Sequence, residues 1–453
     1  MTLVARLFTR IGTRCLSRET ILLSTQTSFN SSTPSDDGAT SVPFTFASLG
    51  LERNFVLPSL HSIRKLPEVE KALVSFPSLS SVEEISRAIQ VFDSINGATS
   101  ERLAVRALLA ECYQRLAVYD KALDVIDGFD DTMTNPPPNQ NLTHAAEDIV
   151  LARAKALWTS GEFDEALRLC ESIIQQYNDF EESFPGTNLH MASAMTGKAL
   201  CQLASMNTMD DAYSVRDYFR ITSKFLERHP STTGVPEAAA LNNRGVAEAV
   251  YALFLEEHNN VSVPMQSGLK AWFQALQKLE GGKQDSTVSF ELLKAKIQCN
   301  LAWGILNFER DKPDCISKAY EYAGKSLAIY DQLKTEKDDS ASADHYSLGL
   351  TRTLSVLASC FHRMDNAVTS EGLFQSALDN EDMRPPDTLS LLEVKAAYKG
   401  YAKLCSKWEK RESDAKRLEE NSSRVEDLLP FAWKGKCAIL SSLWFWTPSD
   451  FGY

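Results

Sequence analysis

A chain of 453 residues in which 43% are hydrophobic and 24% charged holds enough apolar material for a packed core and too much for wholesale disorder. It contains no run of about 18 consecutive apolar residues, so an ordinary membrane-spanning helix is not expected. The net charge of −13 argues against a phosphate-binding surface, which needs clustered Lys and Arg, and so against nucleic acid as the partner.

Four basic residues, Arg6, Arg10, Arg14 and Arg18, precede the first acid, Glu19, at a regular spacing of four. With Leu3, Val4, Leu7, Phe8 and Ile11 they form an amphipathic, Arg- and Ser-rich leader over residues 1–29. Such a composition is that of an organellar transit peptide. A secretory signal needs an uninterrupted apolar stretch that Met1–Ile11 lacks, so import into the mitochondrion, with the matrix as destination, is the expectation and the plastid is the alternative. Arg14-Cys15-Leu16-Ser17 resembles a mitochondrial processing site. Residues 30–60 read as a flexible linker, rich in Ser, Thr and Pro near their start.

Residues 61–100 are expected to supply N-terminal capping helices. The clearest spans 81–96, where Ser80-Ser81-Val82-Glu83-Glu84 offers a capping box, Val82, Ile85, Ile89, Phe92 and Ile95 follow at helical spacing, and Gly97 closes the segment. In 103–136, Leu109, Ala110 and Tyr113 lie on one helix, Ala117 and Tyr119 flank a turn, and Ala122 and Ile126 lie on a second. Residues 147–179 repeat that order with Ala154, Leu157, Gly161, Phe163, Ala166 and Cys170, after a break at Asn135-Pro136-Pro137-Pro138. Helical periodicity then pairs Met191–Leu203 with Asp211–Glu227, 237–280 across a loop at Asn259–Val263, Asn300-Leu301-Ala302 with Ile316–Leu333, the two halves of 351–380, and Leu389–Ser406 with Glu409–Leu429.

The order of small and aromatic residues, with the Gly161–Ala166 turn, resembles the tetratricopeptide repeat, a helix hairpin of about 34 residues. The resemblance covers roughly 100–430 and implies an all-α fold: a right-handed solenoid of antiparallel hairpins, about seven of them and several degenerate, whose inner surface holds a protein or peptide partner. Family members contact ligands from set positions of the first helix. Those positions are here Glu111, Gln114 and Arg115 in one hairpin, Asp148, Lys155 and Trp158 in the next, Asn243 and Asn300 at a position that often bonds a peptide backbone, and Trp303 and Arg363 at further inner positions. The Lys and Asn set that clamps a chaperone's terminal carboxylate is not reproduced, since Leu151 stands where a polar group is needed.

Nothing points to chemistry. Gly-x-x-x-x-Gly-Lys, His-Glu-x-x-His, Gly-x-Ser-x-Gly and dinucleotide glycine patterns are absent, and Gly281-Gly282-Lys283 reads as a helix stop. The seven histidines lack metal-ligand spacing and are expected at surfaces or caps, the nine cysteines read as buried structural thiols in a reducing compartment, and Glu409-Lys410-Arg411-Glu412 reads as a solvated helix face. Neither a cofactor nor a catalytic set is expected. The aromatic C-terminal tail, residues 431–453, carries Trp433, Trp444, Phe445 and Trp446 and must be covered. It is expected to cap the last hairpin, the alternative being a docking anchor into a larger assembly. Function then reads as a non-enzymatic adaptor or assembly factor. The alternatives are a permanent subunit of a large mitochondrial complex and an enzyme with an unrecognised site.

Overall fold

The computed structural model describes residues 144–178, 187–206, 209–228, 234–256, 262–281, 288–309, 312, 314–335, 349–379, 388–408 and 410–446. The leader, the linker, the capping helices, the 103–136 hairpin with Glu111, Gln114 and Arg115, and the last seven residues lie outside these. Among the described residues are twelve α-helices and no strands. They are α1 (His144–Ser160), α2 (Phe163–Asn178), α3 (Thr187–Ser205), α4 (Met209–Arg228), α5 (Val235–Glu256), α6 (Ser262–Gly281), α7 (Val288–Phe308), α8 (Cys315–Thr335), α9 (Leu350–Arg363), α10 (Ala367–Asp379), α11 (Thr388–Cys405) and α12 (Glu412–Leu428). Two short 3-10 turns, Phe431–Trp433 and Ala438–Ser442, follow.

Each odd helix packs on its even successor, giving six hairpins and an all-α hairpin solenoid. The odd helices form the inner layer. They pack in succession from α1 to α11, and α11 returns to α1, where the Thr388 hydroxyl donates to the Thr159 carbonyl at 3.1 Å.

Small residues set the helix spacing. Ala154 on α1 and Ala166 on α2 are fully buried, and α5 is buried on nearly every side because Ala238, Ala239, Ala240, Ala247, Ala249 and Ala252 let its neighbours come close. Leu151 is likewise fully buried, packed with Val150, Ile173 and Ala194.

The turn between α1 and α2 shows how the sequence closes a hairpin. Gly161 has φ 94°, its N–H bonds the Trp158 carbonyl at 3.2 Å, and the Glu162 N–H bonds the Leu157 carbonyl at 2.8 Å. These are the two bonds of a glycine helix stop. The turn between α9 and α10 makes the same pair, Asp365 to His362 at 3.2 Å and Asn366 to Phe361 at 2.9 Å, with Asp365 forced to φ 57°.

Polar side chains also bind hairpins together. Arg411, expected on a solvated face, instead precedes α12 and pairs with Glu371 of α10 and Asp414 of α12, while the Tyr401 hydroxyl of α11 donates to Glu371 at 2.6 Å. His190, expected at the surface or a cap, is buried on α3 with Nδ1 3.7 Å from Glu147, to which the Tyr177 hydroxyl donates at 2.6 Å. A charge pattern in sequence cannot show that a cation faces a neighbouring hairpin. Six described cysteines are buried, and burial pushes the Cys201 and Cys360 thiols up to about 12.

Two outcomes follow from this packing. Asp365→Gly removes a left-handed non-glycine residue and should stabilise the protein by about 0.5–1 kcal/mol, whereas Gly161→Ala should destabilise by about 1–2 kcal/mol or more, both read from urea denaturation midpoints. Thiol labelling at pH 8 should leave Cys201 and Cys360 unmodified until the protein is denatured, because a thiol with a pKa near 12 supplies almost no thiolate.

Candidate functional site

The inner layer is where the expected ligand positions lie, and the chain's own C-terminal segment occupies it. From Leu429 the backbone leaves α12 and enters the space enclosed by the odd helices. Trp433, Ile439, Leu440, Leu443, Phe445 and Trp446 join the main core cluster there, with Trp433 and Trp446 at 0% exposure. Burying a large apolar side chain is worth about 1.5–3 kcal/mol, so this segment contributes on the order of 10 kcal/mol, comparable with the net stability of a whole domain.

Its first anchor is the α1–α2 hairpin. The Trp433 ring stands edge-on to Trp158 at 5.2 Å and to Phe163 at 5.4 Å, and its indole N–H donates to the Trp158 carbonyl at 3.2 Å. A Cβ on Gly161 would lie 3.0 Å from the Ala432 Cβ, so the glycine that ends α1 also admits the tail. Farther along, Phe445 meets Trp158 at 5.8 Å and crosses α3 at Gly197, where a Cβ would approach its ring to 2.7 Å. The Ser193 hydroxyl of α3 donates to the Trp446 carbonyl at 2.6 Å.

The polar anchors come from α5 and α7. Asn242 and Asn243 are both fully buried in an alanine-rich helix, and buried amides must be hydrogen-bonded. The Asn243 amide donates to the Trp444 carbonyl at 2.9 Å and its oxygen accepts the Trp444 N–H at 2.8 Å, the pair a neighbouring β-strand would make. This grip reads backbone, independent of the side chain at that position. Asn242 donates to the Ser442 carbonyl at 2.9 Å, and Asn300 of α7 donates to the Asn242 oxygen at 2.8 Å, fixing its orientation. Lys296 of α7 donates to the Ser441 carbonyl at 3.2 Å and lies 5.3 Å from the centre of the Trp444 ring. Lys436 donates to the Met206 carbonyl at 3.3 Å, and burial pushes its ammonium below the usual lysine range.

The structure thus brings Trp158, Asn243 and Asn300 together with Trp433, Trp444, Phe445 and Trp446. Trp303 is half-buried beside Phe308 at 5.5 Å, with the Arg352 guanidinium 5.9 Å from its ring. Arg363 donates to the Leu306 carbonyl at 2.5 Å and so joins α9 to the end of α7. Lys155 is half-buried on α1, and Asp148 lies on the same helix. Asn242, Ser193, Lys296 and Arg352 were not singled out in the sequence. The signal for Asn242 was there: two adjacent amides in a helix otherwise built of alanine demand buried partners.

One expectation needs correction. The tail does not simply cover the last hairpin; it runs across the inner helices back to the first. The physical reason is that α11 meets α1, so the large uncovered apolar surface is the enclosed one and not an end face. Among the described residues no group of three His, Cys, Asp or Glu side chains is placed to hold a metal, and no helix is long and apolar enough to cross a membrane.

Removing the Asn243 amide leaves the N–H and carbonyl of the half-buried Trp444 without their Asn243 partner. Asn243→Ala should therefore cost about 2–4 kcal/mol in urea denaturation, against less than about 1 kcal/mol for Ser205→Ala on the exposed end of α3.

No protein-family model matches the sequence, and neither does any curated protein. Among solved structures the chain is similar to the apo form of the quorum sensor NprR from B. thuringiensis, at 11% identity and a TM-score of 0.39 over 81% of this chain and 97% of that one. It is also similar to a monomeric mutant of IFIT1 with m7Gppp-AAAA, at 14% identity and a TM-score of 0.32 over 82% of this chain and 69% of that one.

Proposed function

We propose that this protein is a non-enzymatic interaction scaffold, an adaptor or assembly factor of tetratricopeptide-repeat type, and that it works in the mitochondrion. The observation that carries the reading is the paired hydrogen bonding of Asn243 to the Trp444 backbone. An inner face that holds an extended segment by its main chain, whatever side chains it bears, is equipped to hold a segment of another protein. Here the occupant is the chain's own tail, so a partner segment enters by displacing it. The basic leader supports the mitochondrial address. The net charge of −13 supports a protein partner over nucleic acid.

A second reading is favoured by the depth of the tail. With Trp433 and Trp446 fully buried, the segment has the character of a permanent core, which suits a structural subunit of a large complex that offers only its outer helices.

Affinity purification from isolated mitochondria, with the full chain and with Ser193→Ala, separates the two. The adaptor reading expects Ser193→Ala, which loosens the Trp446 end, to retain several-fold more of a discrete partner. The subunit reading expects equal recovery in one large, salt-resistant particle. Recovery outside mitochondria removes the address, and recovery as a lone monomer removes both readings.

A further inference from the structure

Two side chains of the tail are poorly matched to the surface that holds its backbone. Ser441 and Ser442 are 1% exposed, and neither hydroxyl has a hydrogen-bond partner. Buried serines elsewhere in the array are paired: Ser193 donates to the Trp446 carbonyl at 2.6 Å, and Ser223, Ser326 and Ser370 donate to the Phe219, Ala295 and Ala358 carbonyls at 2.8 Å each. Among the described residues, Ser441 and Ser442 are the exceptions.

Their main chain is held in place, so the hydroxyls cannot shift to find partners. Lys296 donates to the Ser441 carbonyl at 3.2 Å and Asn242 to the Ser442 carbonyl at 2.9 Å. In water each hydroxyl is hydrogen-bonded, and burying it unpaired carries the full cost of stripping that water away. An alanine at either place would keep both backbone bonds and remove that cost, less a small term for the space the oxygen leaves. The cis tail is therefore gripped by its backbone and penalised at two side chains.

We infer that the cis tail is a weakened occupant of the inner face, and that the partner segment which displaces it carries alanine or another small apolar residue at the two positions that Ser441 and Ser442 fill in cis. This rests on the proposal above that the inner face accepts a segment in trans. An attached tail has the advantage of a high effective concentration, and a partner free of the two penalties offsets part of it. The tail of a second copy carries the same two hydroxyls, so self-exchange gains nothing at these positions.

Two fluorescein-labelled peptides spanning 434–446, one of native sequence and one with Ser441→Ala and Ser442→Ala, test the inference against the full-length protein by anisotropy. The cis tail competes equally with both. The alanine peptide should bind about tenfold more tightly or better, the effect of one such penalty on a dissociation constant. It should bind less tightly to full-length protein that itself carries both substitutions, because the improved tail is harder to displace. In urea denaturation that double variant should have a higher midpoint than the parent, whereas Ser326→Ala, which removes a paired hydroxyl, should have a lower one. Equal binding of the two peptides overturns the small apolar preference and leaves trans binding intact. Binding of neither peptide, with the double variant stabilised, overturns trans acceptance and the partner inference with it. A double variant less stable than the parent overturns the weakened tail itself.

Discussion

Everything in the described array depends on what fills the space enclosed by its six inner helices. Hairpins that stack only on their neighbours would leave the inward faces of α1, α3, α5, α7, α9 and α11 in water, and those faces carry Trp158, Gly197 and an alanine-rich stripe. The tail removes that surface from water. Trp433, Phe445 and Trp446 are the members that reach back to α1 and α3, while α11 closes on α1 through Thr388 and Thr159. Closure and filling are one event in energetic terms: without the tail the enclosed space is a hydrated apolar cavity, and without closure the tail has only one side to pack on.

Register along the tail is set by polar groups, because apolar packing alone tolerates sliding. Asn243 fixes Trp444, Asn242 fixes Ser442, Ser193 fixes Trp446 and the Trp158 carbonyl fixes Trp433. Each is a buried donor or acceptor whose loss leaves a partner unpaired, so each opposes a shift by one residue. Lys296 of α7 adds a further bond, to the Ser441 carbonyl.

Much of the fold was legible. Gly161, Phe163 and Ala166 specify a hairpin by local chemistry, a helix stop followed by small and aromatic packing residues, and the helical period locates later hairpins even where that signature fades. Asn243 and Asn300 were legible as inner residues because their place in the hairpin fixes which way they point. The destination of the tail was not. Its aromatic content showed that it must be buried, but where depends on α11 meeting α1, a contact between residues 229 positions apart that no local pattern encodes. Arg411 and His190 were misjudged for a related reason: the facing residue on another hairpin decides whether a polar side chain is solvated or paired.

Amide hydrogen exchange across 438–446 tests the central claim most directly. If the tail fills the enclosed space in cis, the Trp444 amide, bonded to Asn243, should exchange as slowly as the amides in the middle of α5. Exchange of 438–446 at the rate of an unstructured peptide, with α5 still protected, would show an array whose inner face stands open and would contradict the account.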